Sequence, residues 1–206
     1  MQAFVAGILE YYGALPRTEL VAVVLAVAYL VLAIRQNIWC WFCAAISTAM
    51  YVYLFAKANL YMESLLNVFY FGMALYGWSV WRSGKTDDEL PVSVWPLQVH
   101  LYAVAIIICA ATTTGFLLAK FTDAAYPYID SATTYAAVWA TFLVARKVLE
   151  NWWYWLVIDA VSVFIYWTRG LEATALLFVV YVVLIPIGLV AWTRSYRHHQ
   201  PAAVPV

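Results

Sequence analysis

Seven long apolar segments, separated by short polar ones, dominate the pattern of hydrophobic and polar positions along the 206-residue chain. At a rise of about 1.5 Å per residue, a helix of each length can cross roughly 30 Å of hydrocarbon. We predict membrane-spanning helices near residues 17–35, 37–56, 60–82, 96–119, 131–149, 151–168 and 171–194. Charge, glycine and proline concentrate in loops at 83–95 and 120–130, and the tail at 196–206 is expected to be disordered.

The chain carries one pattern twice. The motif N-x-W-x-W occurs at Asn37–Trp41 and again at Asn151–Trp155, 114 positions later. A second set of matches has an offset of 111: Leu60, Leu65, Val68, Tyr70, Gly77 and Trp81 pair with Leu171, Leu176, Val179, Tyr181, Gly188 and Trp192. The two offsets predict a three-residue deletion in one turn. Duplicated membrane modules are typical of secondary transporters.

The order of the segments predicts how the two copies run. An N-terminal segment (1–16) precedes a first repeat (17–82), a connecting helix (96–119) and a second repeat (131–195). Because a single helix separates two triplets, both triplets cross the membrane in the same direction, as a parallel duplication. Lys and Arg number seven on the side of the C-terminus and four on the other, which favours a cytoplasmic C-terminus and an external N-terminus.

Composition narrows the class of protein. Hydrophobic residues make up 67% and charged residues 11%, against roughly 45–50% and about 25% in soluble domains, so we expect a multi-pass protein in a lipid bilayer. Zero net charge gives no reason to expect a nucleic-acid partner. The C-x-x-C at Cys40 and Cys43 lies inside an apolar segment, and His100 is isolated, so neither predicts a redox, metal or cofactor site. No removable signal peptide is predicted.

Two acidic residues fall where charge is costly: Asp159 near the middle of the sixth segment, and Glu63 in the first turn of the third. Asp159 either faces a cavity or only holds helices together, and Glu63 either lines the same cavity or is an interfacial acid near a helix N-terminus. Polar and aromatic neighbours at three- and four-residue steps favour the cavity. The candidate substrate-binding residues are Trp41, Glu63, Asn67, Tyr70, Asn151, Trp152, Trp155, Asp159, Ser162 and Tyr166.

Such a pocket suits a flat organic cation. Trp and Tyr faces attract cations, a carboxylate neutralises them, and Asn and Ser can hydrogen-bond hydroxyl groups, so pyridinium or thiazolium compounds are the predicted ligands. In the seventh segment, Pro186 predicts either a static kink or a gating hinge.

One stretch resembles a known family. The pattern A-R-K-x-x-E-N-W-x-x-W at Ala145–Trp155, supported by Leu60–Tyr70 and Tyr76–Trp81, is similar to that of the PnuC vitamin transporters. The resemblance implies a SWEET-like fold of three, one and three helices, homotrimers, and facilitated diffusion of nicotinamide riboside across the bacterial inner membrane, with trapping by a cytoplasmic kinase. It also implies that Glu63, Asn67, Asn151, Trp152 and Trp155 share the cavity, with Asp159 as a candidate selectivity residue.

Alternatives stay open. The same fold could carry thiamine, which is also an aromatic cation, whereas neutral riboflavin suits the acids less well. A proton-coupled symporter would use Asp159 as its proton carrier. A membrane enzyme would need a second catalytic group within hydrogen-bond reach of Asp159 or Glu63, and the sequence offers none, so we predict no enzymatic activity.

Overall fold

The computed structural model of the chain describes residues 17–57, 61–83, 90–123, 126–168 and 172–199. These residues form seven α-helices, which confirms the all-α prediction. The helices are α1 (Arg17–Ile34), α2 (Trp39–Lys57), α3 (Tyr61–Arg82), α4 (Leu97–Phe121), α5 (Pro127–Ala145), α6 (Asn151–Thr168) and α7 (Glu172–His199). Within the described residues, two helical stretches, Leu97–Phe121 and Ala175–His199, are long and apolar enough to cross a membrane.

Two helices differ from their predicted spans by more than two residues at one end or both. α5 lies four residues earlier than expected, because Pro127 stands in its first turn, where a missing N–H costs nothing. α7 continues to His199 instead of ending near 194, so residues 196–199, which were predicted to belong to the disordered tail, are helical. The basic side chains of its last turn suit the carboxyl end of a helix. The predicted N-terminal segment (1–16), part of the first loop and residues 200–206 lie outside the described residues.

The chain divides into two compact units, Met1–Leu90 and Pro91–Val206. In the first unit, α2 packs against both α1 and α3. Ser47 Oγ on α2 donates a hydrogen bond of 2.9 Å to the Ala22 carbonyl on α1. Ser64 Oγ on α3 donates another of 2.9 Å to the Val52 carbonyl on α2. In a bilayer the hydrophobic effect gives apolar helices little reason to associate, because lipid tails are equally apolar. Hydrogen bonds from hydroxyl groups to a neighbouring helix then help to hold the helices together.

In the second unit, α5 packs against α4 and α6, and α6 packs against α7. The contact between α5 and α6 is built on small side chains. Ala137 and Ala140 are buried with Ile158, and the larger Tyr154 and Trp155 pack around them. Small residues allow two helix backbones to approach closely. α6 is therefore held on one side by alanines of α5 and on another by α7.

α1 ends in a Schellman motif. The Gln36 N–H donates to the Ala33 carbonyl (3.0 Å) and the Asn37 N–H donates to the Leu32 carbonyl (2.9 Å). Gln36 has a φ of 55°, the left-handed conformation that this motif requires and that glycine adopts most readily.

α5 ends in the same motif, 111 residues later. The Lys147 N–H donates to the Val144 carbonyl (3.0 Å) and the Val148 N–H donates to the Leu143 carbonyl (2.9 Å). Lys147 has a φ of 49°. The turn before α2 and the turn before α6 are therefore built identically, although neither uses glycine.

A tryptophan follows each turn and packs in the same way. Trp41 on α2 lies against Gly77 of α3 and meets the Trp81 ring edge-on, with centroids 5.5 Å apart. Trp152 on α6 lies against Gly188 of α7 and meets the Trp192 ring edge-on at 5.4 Å. Every member of the second set lies 111 residues after its counterpart.

The predicted three-residue deletion is therefore wrong. With a constant offset of 111, Trp41 corresponds to Trp152, and the position of Asn151 is occupied by Cys40 in the first unit. Asn37 makes a different hydrogen bond from Asn151: its Oδ1 accepts the Trp39 N–H (2.9 Å) at the start of α2. The two N-x-W-x-W motifs are a coincidence of spacing.

Candidate functional site

The polar face of α6 lies inside the second unit. Asp159 is 5% exposed and Ser162, one turn later, is also buried. Because residues three apart share a helix face, the two side chains lie on the same side of α6. Ser162 Oγ donates to the Ile158 carbonyl (2.9 Å), which leaves the hydroxyl oxygen able to accept a further hydrogen bond.

Asp159 has no hydrogen bond or ion pair with any residue that the structure describes. A carboxylate removed from water without a partner is costly, so such a group favours either a proton or a bound cation. The position therefore has the chemistry to hold a positively charged solute.

Asn151 is fully buried at the first position of α6. Its Nδ2 donates to the Val148 carbonyl in the preceding turn (2.6 Å). Its Oδ1 is buried and has no hydrogen-bond partner among the described residues. The amide is therefore fixed in orientation by the turn and keeps one free acceptor.

The aromatic residues of α6 point at two different neighbours. Trp152, 2% exposed, packs on α7, whereas Trp155 is half-buried beside the alanines of α5. Tyr166 stacks on Phe178 of α7, with centroids 5.3 Å apart and planes inclined by 19°. Trp152 and Tyr166 thus have aromatic partners within the unit, while Trp155 has a more accessible ring.

The predicted site residues of the first unit are only partly brought together. Trp41, 2% exposed, is enclosed by Gly77, Trp81 and Tyr29, whose ring centroid lies 6.0 Å from that of Trp41. Asn67 and Tyr70 are half-buried on α3. The backbone of Glu63 belongs to α3, but its side chain lies outside the described part of the chain.

The first unit also carries an apolar groove of about 460 Å³. None of the predicted site residues lines it, and its walls are aliphatic and aromatic: Phe42, Ala45, Ile46, Ala49, Met50, Tyr53, Leu54 and Phe71.

Pro186, the predicted hinge residue, is exposed inside α7, two residues before Gly188, on which Trp152 packs. Within the described residues, no group of three His, Cys, Asp or Glu side chains could hold a metal ion.

His100 is not isolated, contrary to our expectation. Its Nδ1 lies 3.1 Å from the Tyr154 hydroxyl on α6, and its Nε2 lies 3.9 Å from Oε2 of Glu150. Sequence patterns missed this cluster because its members lie about fifty positions apart.

The chain is similar in sequence and in fold to known vitamin transporters. The family model described as nicotinamide mononucleotide transporter matches residues 17–194. The nicotinamide riboside transporter PnuC of Escherichia coli K12 is 25% identical over 199 residues, covering 84% of this chain and 83% of its own. The riboflavin/roseoflavin transporter RibM of Streptomyces davaonensis is 26% identical over 196 residues, covering 89% and 88%. A crystal structure of the vitamin B3 transporter PnuC superposes with a TM-score of 0.72 at 19% identity, covering 96% and 89%.

Proposed function

This chain belongs to the PnuC family of vitamin transporters, and from that premise we propose that it carries nicotinamide riboside across the bacterial inner membrane by facilitated diffusion. The family match over residues 17–194 is the observation that carries the proposal. PnuC is a transporter family and not an enzyme family, which excludes the membrane-enzyme alternative. The family also implies a multi-pass protein of the inner membrane.

The buried carboxylate of Asp159 supports a cationic substrate. In the proposed complex, the pyridinium ring lies near Asp159 and stacks on the accessible ring of Trp155, because indole faces attract cations. Ser162, one turn after Asp159, is proposed to hydrogen-bond a ribose hydroxyl group. Asn151, eight residues before Asp159, is proposed to line the same cavity nearer the start of α6. The remaining proposed substrate-binding residues rest on the sequence pattern and the family resemblance: Trp41, Glu63, Asn67, Tyr70, Trp152 and Tyr166.

The transport cycle that we propose is a uniport. The substrate gradient supplies the driving force, and a cytoplasmic kinase phosphorylates the product so that it cannot return. The fold is proposed to be a SWEET-like arrangement of three, one and three helices, with parallel triplets, an external N-terminus and a cytoplasmic C-terminus. The constant offset of 111 between the two turns and the two tryptophan–glycine contacts supports a duplication without insertions.

Two other substrates deserve direct comparison. Thiamine is an aromatic cation and would satisfy Asp159 equally well. Riboflavin is the substrate named for RibM, whose identity to this chain matches that of PnuC. Because riboflavin is neutral, it would leave the Asp159 carboxylate uncompensated, so we place it behind the two cations.

Tryptophan fluorescence of the detergent-purified protein tests the proposal. We expect saturable quenching by nicotinamide riboside and much weaker quenching by neutral riboflavin, and a parallel titration with thiamine compares the two cations. Saturable quenching by thiamine or riboflavin alone would change the substrate within the family. Silence with all three ligands would contradict the proposed pocket.

Uptake into proteoliposomes tests the energetics. We expect counterflow of labelled nicotinamide riboside that is unchanged by a proton ionophore. Accumulation that follows an imposed proton gradient and collapses with the ionophore would instead establish the symport alternative.

A further inference from the structure

The segment that precedes α4 is attached to the turn between α5 and α6. The Ser93 N–H donates to the Lys147 carbonyl (3.0 Å), and the Leu149 N–H donates to the Ser93 carbonyl (2.8 Å). This pair of bonds forms an isolated parallel bridge. Ser93 lies four residues before α4, and Lys147 and Leu149 lie four and two residues before α6, so the two hydrogen bonds connect the starts of these helices.

Glu150 reinforces this attachment with its side chain. Its Oε2 accepts the Trp95 N–H at 3.4 Å, a long hydrogen bond, and lies 3.9 Å from Nε2 of His100. The side chains of His100 and Glu150 are 11% and 22% exposed. One carboxylate oxygen therefore faces two nitrogen atoms on the α4 side, the Trp95 N–H and His100 Nε2, and both distances are long for hydrogen bonds.

The histidine lacks one partner. Nε2 of His100 is buried and has no hydrogen-bond partner among the described residues, whereas Nδ1 faces the Tyr154 hydroxyl. A neutral imidazole can accept from that hydroxyl at Nδ1. A protonated imidazole donates from both nitrogens, which turns the 3.9 Å approach to Glu150 into an ion pair that a shift of less than about 1 Å converts to a hydrogen bond.

Aromatic rings, titratable side chains and two cations lie near the His100–Glu150 pair. Rings of Trp139 and Phe142 on α5 pack against Trp95 at centroid distances of 6.1 Å, which attaches the segment before α4 to α5 as well. Of the described groups, Glu150 and Tyr154 are the titratable ones in contact with His100. The turn that carries Glu150 also carries two cations, exposed Arg146 and buried Lys147.

We propose that Glu150 and His100 are positioning residues for α6: the Glu150 carboxylate holds the segment before α4 on the first turn of α6, and proton uptake by His100 tightens that hold. The transport consequence rests on the proposed function, because α6 carries the proposed substrate residues. A protonated imidazole attracts the Glu150 carboxylate more strongly than a neutral one, so the attachment is expected to be tighter when His100 carries a proton.

Hydrogen exchange of the purified, substrate-free protein measures the hold directly. The readout is the protection of amides in the peptide over residues 91–101, corrected for the intrinsic pH dependence of exchange. From pH 8 to pH 5.5 we expect protection to rise about three- to tenfold, the effect of a charged hydrogen bond that remains partly exposed. A flat profile in the wild-type protein would overturn the proposal.

Variants separate the charge from the packing. His100→Gln keeps hydrogen-bonding groups but cannot titrate, and Glu150→Gln keeps an acceptor for the Trp95 N–H but removes the negative charge. Both should flatten the pH profile of protection. His198→Gln, at an exposed position in the last turn of α7, should retain the wild-type profile. A pH dependence that persists in His100→Gln would overturn the proposal.

Tyr154→Phe provides a second route if His100→Gln does not fold. Removal of the hydroxyl that orients the imidazole should reduce the pH-dependent change in protection by about half or more, in line with the loss of one hydrogen bond. An unchanged profile in Tyr154→Phe would argue against the proposed geometry.

The transport measurement is kept separate. We expect the pH profile of nicotinamide riboside uptake between pH 5.5 and pH 8 to flatten in His100→Gln while uptake itself persists. If uptake is absent in the wild-type protein, the proposed function fails, and hydrogen exchange still decides whether His100 and Glu150 act as stated. If uptake is present and its pH profile is unchanged in His100→Gln, the positioning role is wrong.

Discussion

At the scale of single residues, Asp159 combines burial with charge. Its carboxylate is enclosed on α6, and no described residue neutralises it. A group of this kind lowers the stability of the empty protein and gains most when a cation binds, since the cation restores the interactions lost from water. Its contribution to binding is therefore expected to exceed its contribution to folding.

The first prediction follows from that imbalance. Asp159→Asn should weaken the binding of nicotinamide riboside by about tenfold or more, the usual value of a hydrogen bond or contact with a charged group. The melting temperature should be unchanged or higher. Titration by tryptophan fluorescence measures the affinity. Asp123→Asn, an exposed acid after α4, serves as the matched control, and an Asp159→Asn affinity equal to that of this control would remove Asp159 from the site.

The second prediction concerns the two glycines under Trp41 and Trp152. A Cβ added at Gly77 or Gly188 would overlap the indole ring packed on it. Gly77→Ala and Gly188→Ala should each destabilise the protein by about 1–3 kcal/mol, the usual cost of overpacking. Gly72 has no atom near the place of its absent Cβ, so Gly72→Ala should be neutral or stabilising. Thermal unfolding in detergent compares the three variants, and equal midpoints would contradict the packing.

At the scale of helices and turns, the Schellman motifs fix where α1 and α5 end. Gln36 and Lys147 both adopt positive φ, which side chains with a Cβ rarely do. The last hydrogen bond of each motif is donated by Asn37 or by Val148, and α2 or α6 begins two or three residues later. The turns therefore set the direction in which Trp41 and Trp152 enter their contacts.

The third prediction tests the turn before α2. Gln36→Gly should raise the stability by about 1 kcal/mol, because glycine adopts the left-handed conformation without steric cost. Gln36→Val should lower it, because a β-branched side chain is least compatible with positive φ. The pair of variants gives opposite shifts of the unfolding midpoint if the turn has this conformation. Shifts in the same direction would be inconsistent with it.

The fourth prediction concerns Pro186 in α7. Proline cannot donate to the carbonyl of residue 182, so this turn of the helix is weakened next to the glycine that holds Trp152. We expect Pro186→Ala to raise the melting temperature and to slow transport without changing the affinity, as for a hinge that limits a conformational step. Uptake measured beside substrate titration distinguishes this from a static kink, for which the rate would be unchanged.

At the scale of the whole molecule, each unit buries its own tryptophan and glycine contact and carries large apolar side chains on its outside. α4 is the extreme case: Ala103, Ala111 and Gly115 are its buried residues, and most of its larger side chains are exposed. In a bilayer such a surface contacts lipid tails or another copy of the chain. The proposed homotrimer would use surface of this kind.

The fifth prediction gives the assembly. Native mass spectrometry of the detergent-purified protein should show three times the chain mass of 23.3 kDa. A single-chain mass that persists across several mild detergents would contradict the trimer and would leave the transport proposal intact.

The sequence was sufficient for the family, the number of helices and the burial of Asp159. Each of these depends on local information: runs of apolar residues, one motif of eleven residues at Ala145–Trp155, and an acid inside an apolar segment. In lipid, backbone N–H and C=O groups have no water to bond, so they are satisfied within each helix. The length of an apolar segment therefore predicts a membrane-spanning helix well. The duplication was also visible, although N-x-W-x-W placed its first part three residues out of register.

Only the tertiary structure decided which side chains meet. It showed that Trp152 packs on Gly188, that Trp155 turns to the alanines of α5, and that His100 faces Glu150 about fifty positions away. Helical periodicity gives the direction of a side chain relative to its own axis, but the neighbour on that side depends on how whole helices pack. The local sequence therefore determines which residues form helices and which side chains are buried. Contacts between residues distant in the sequence depend on how the helices pack.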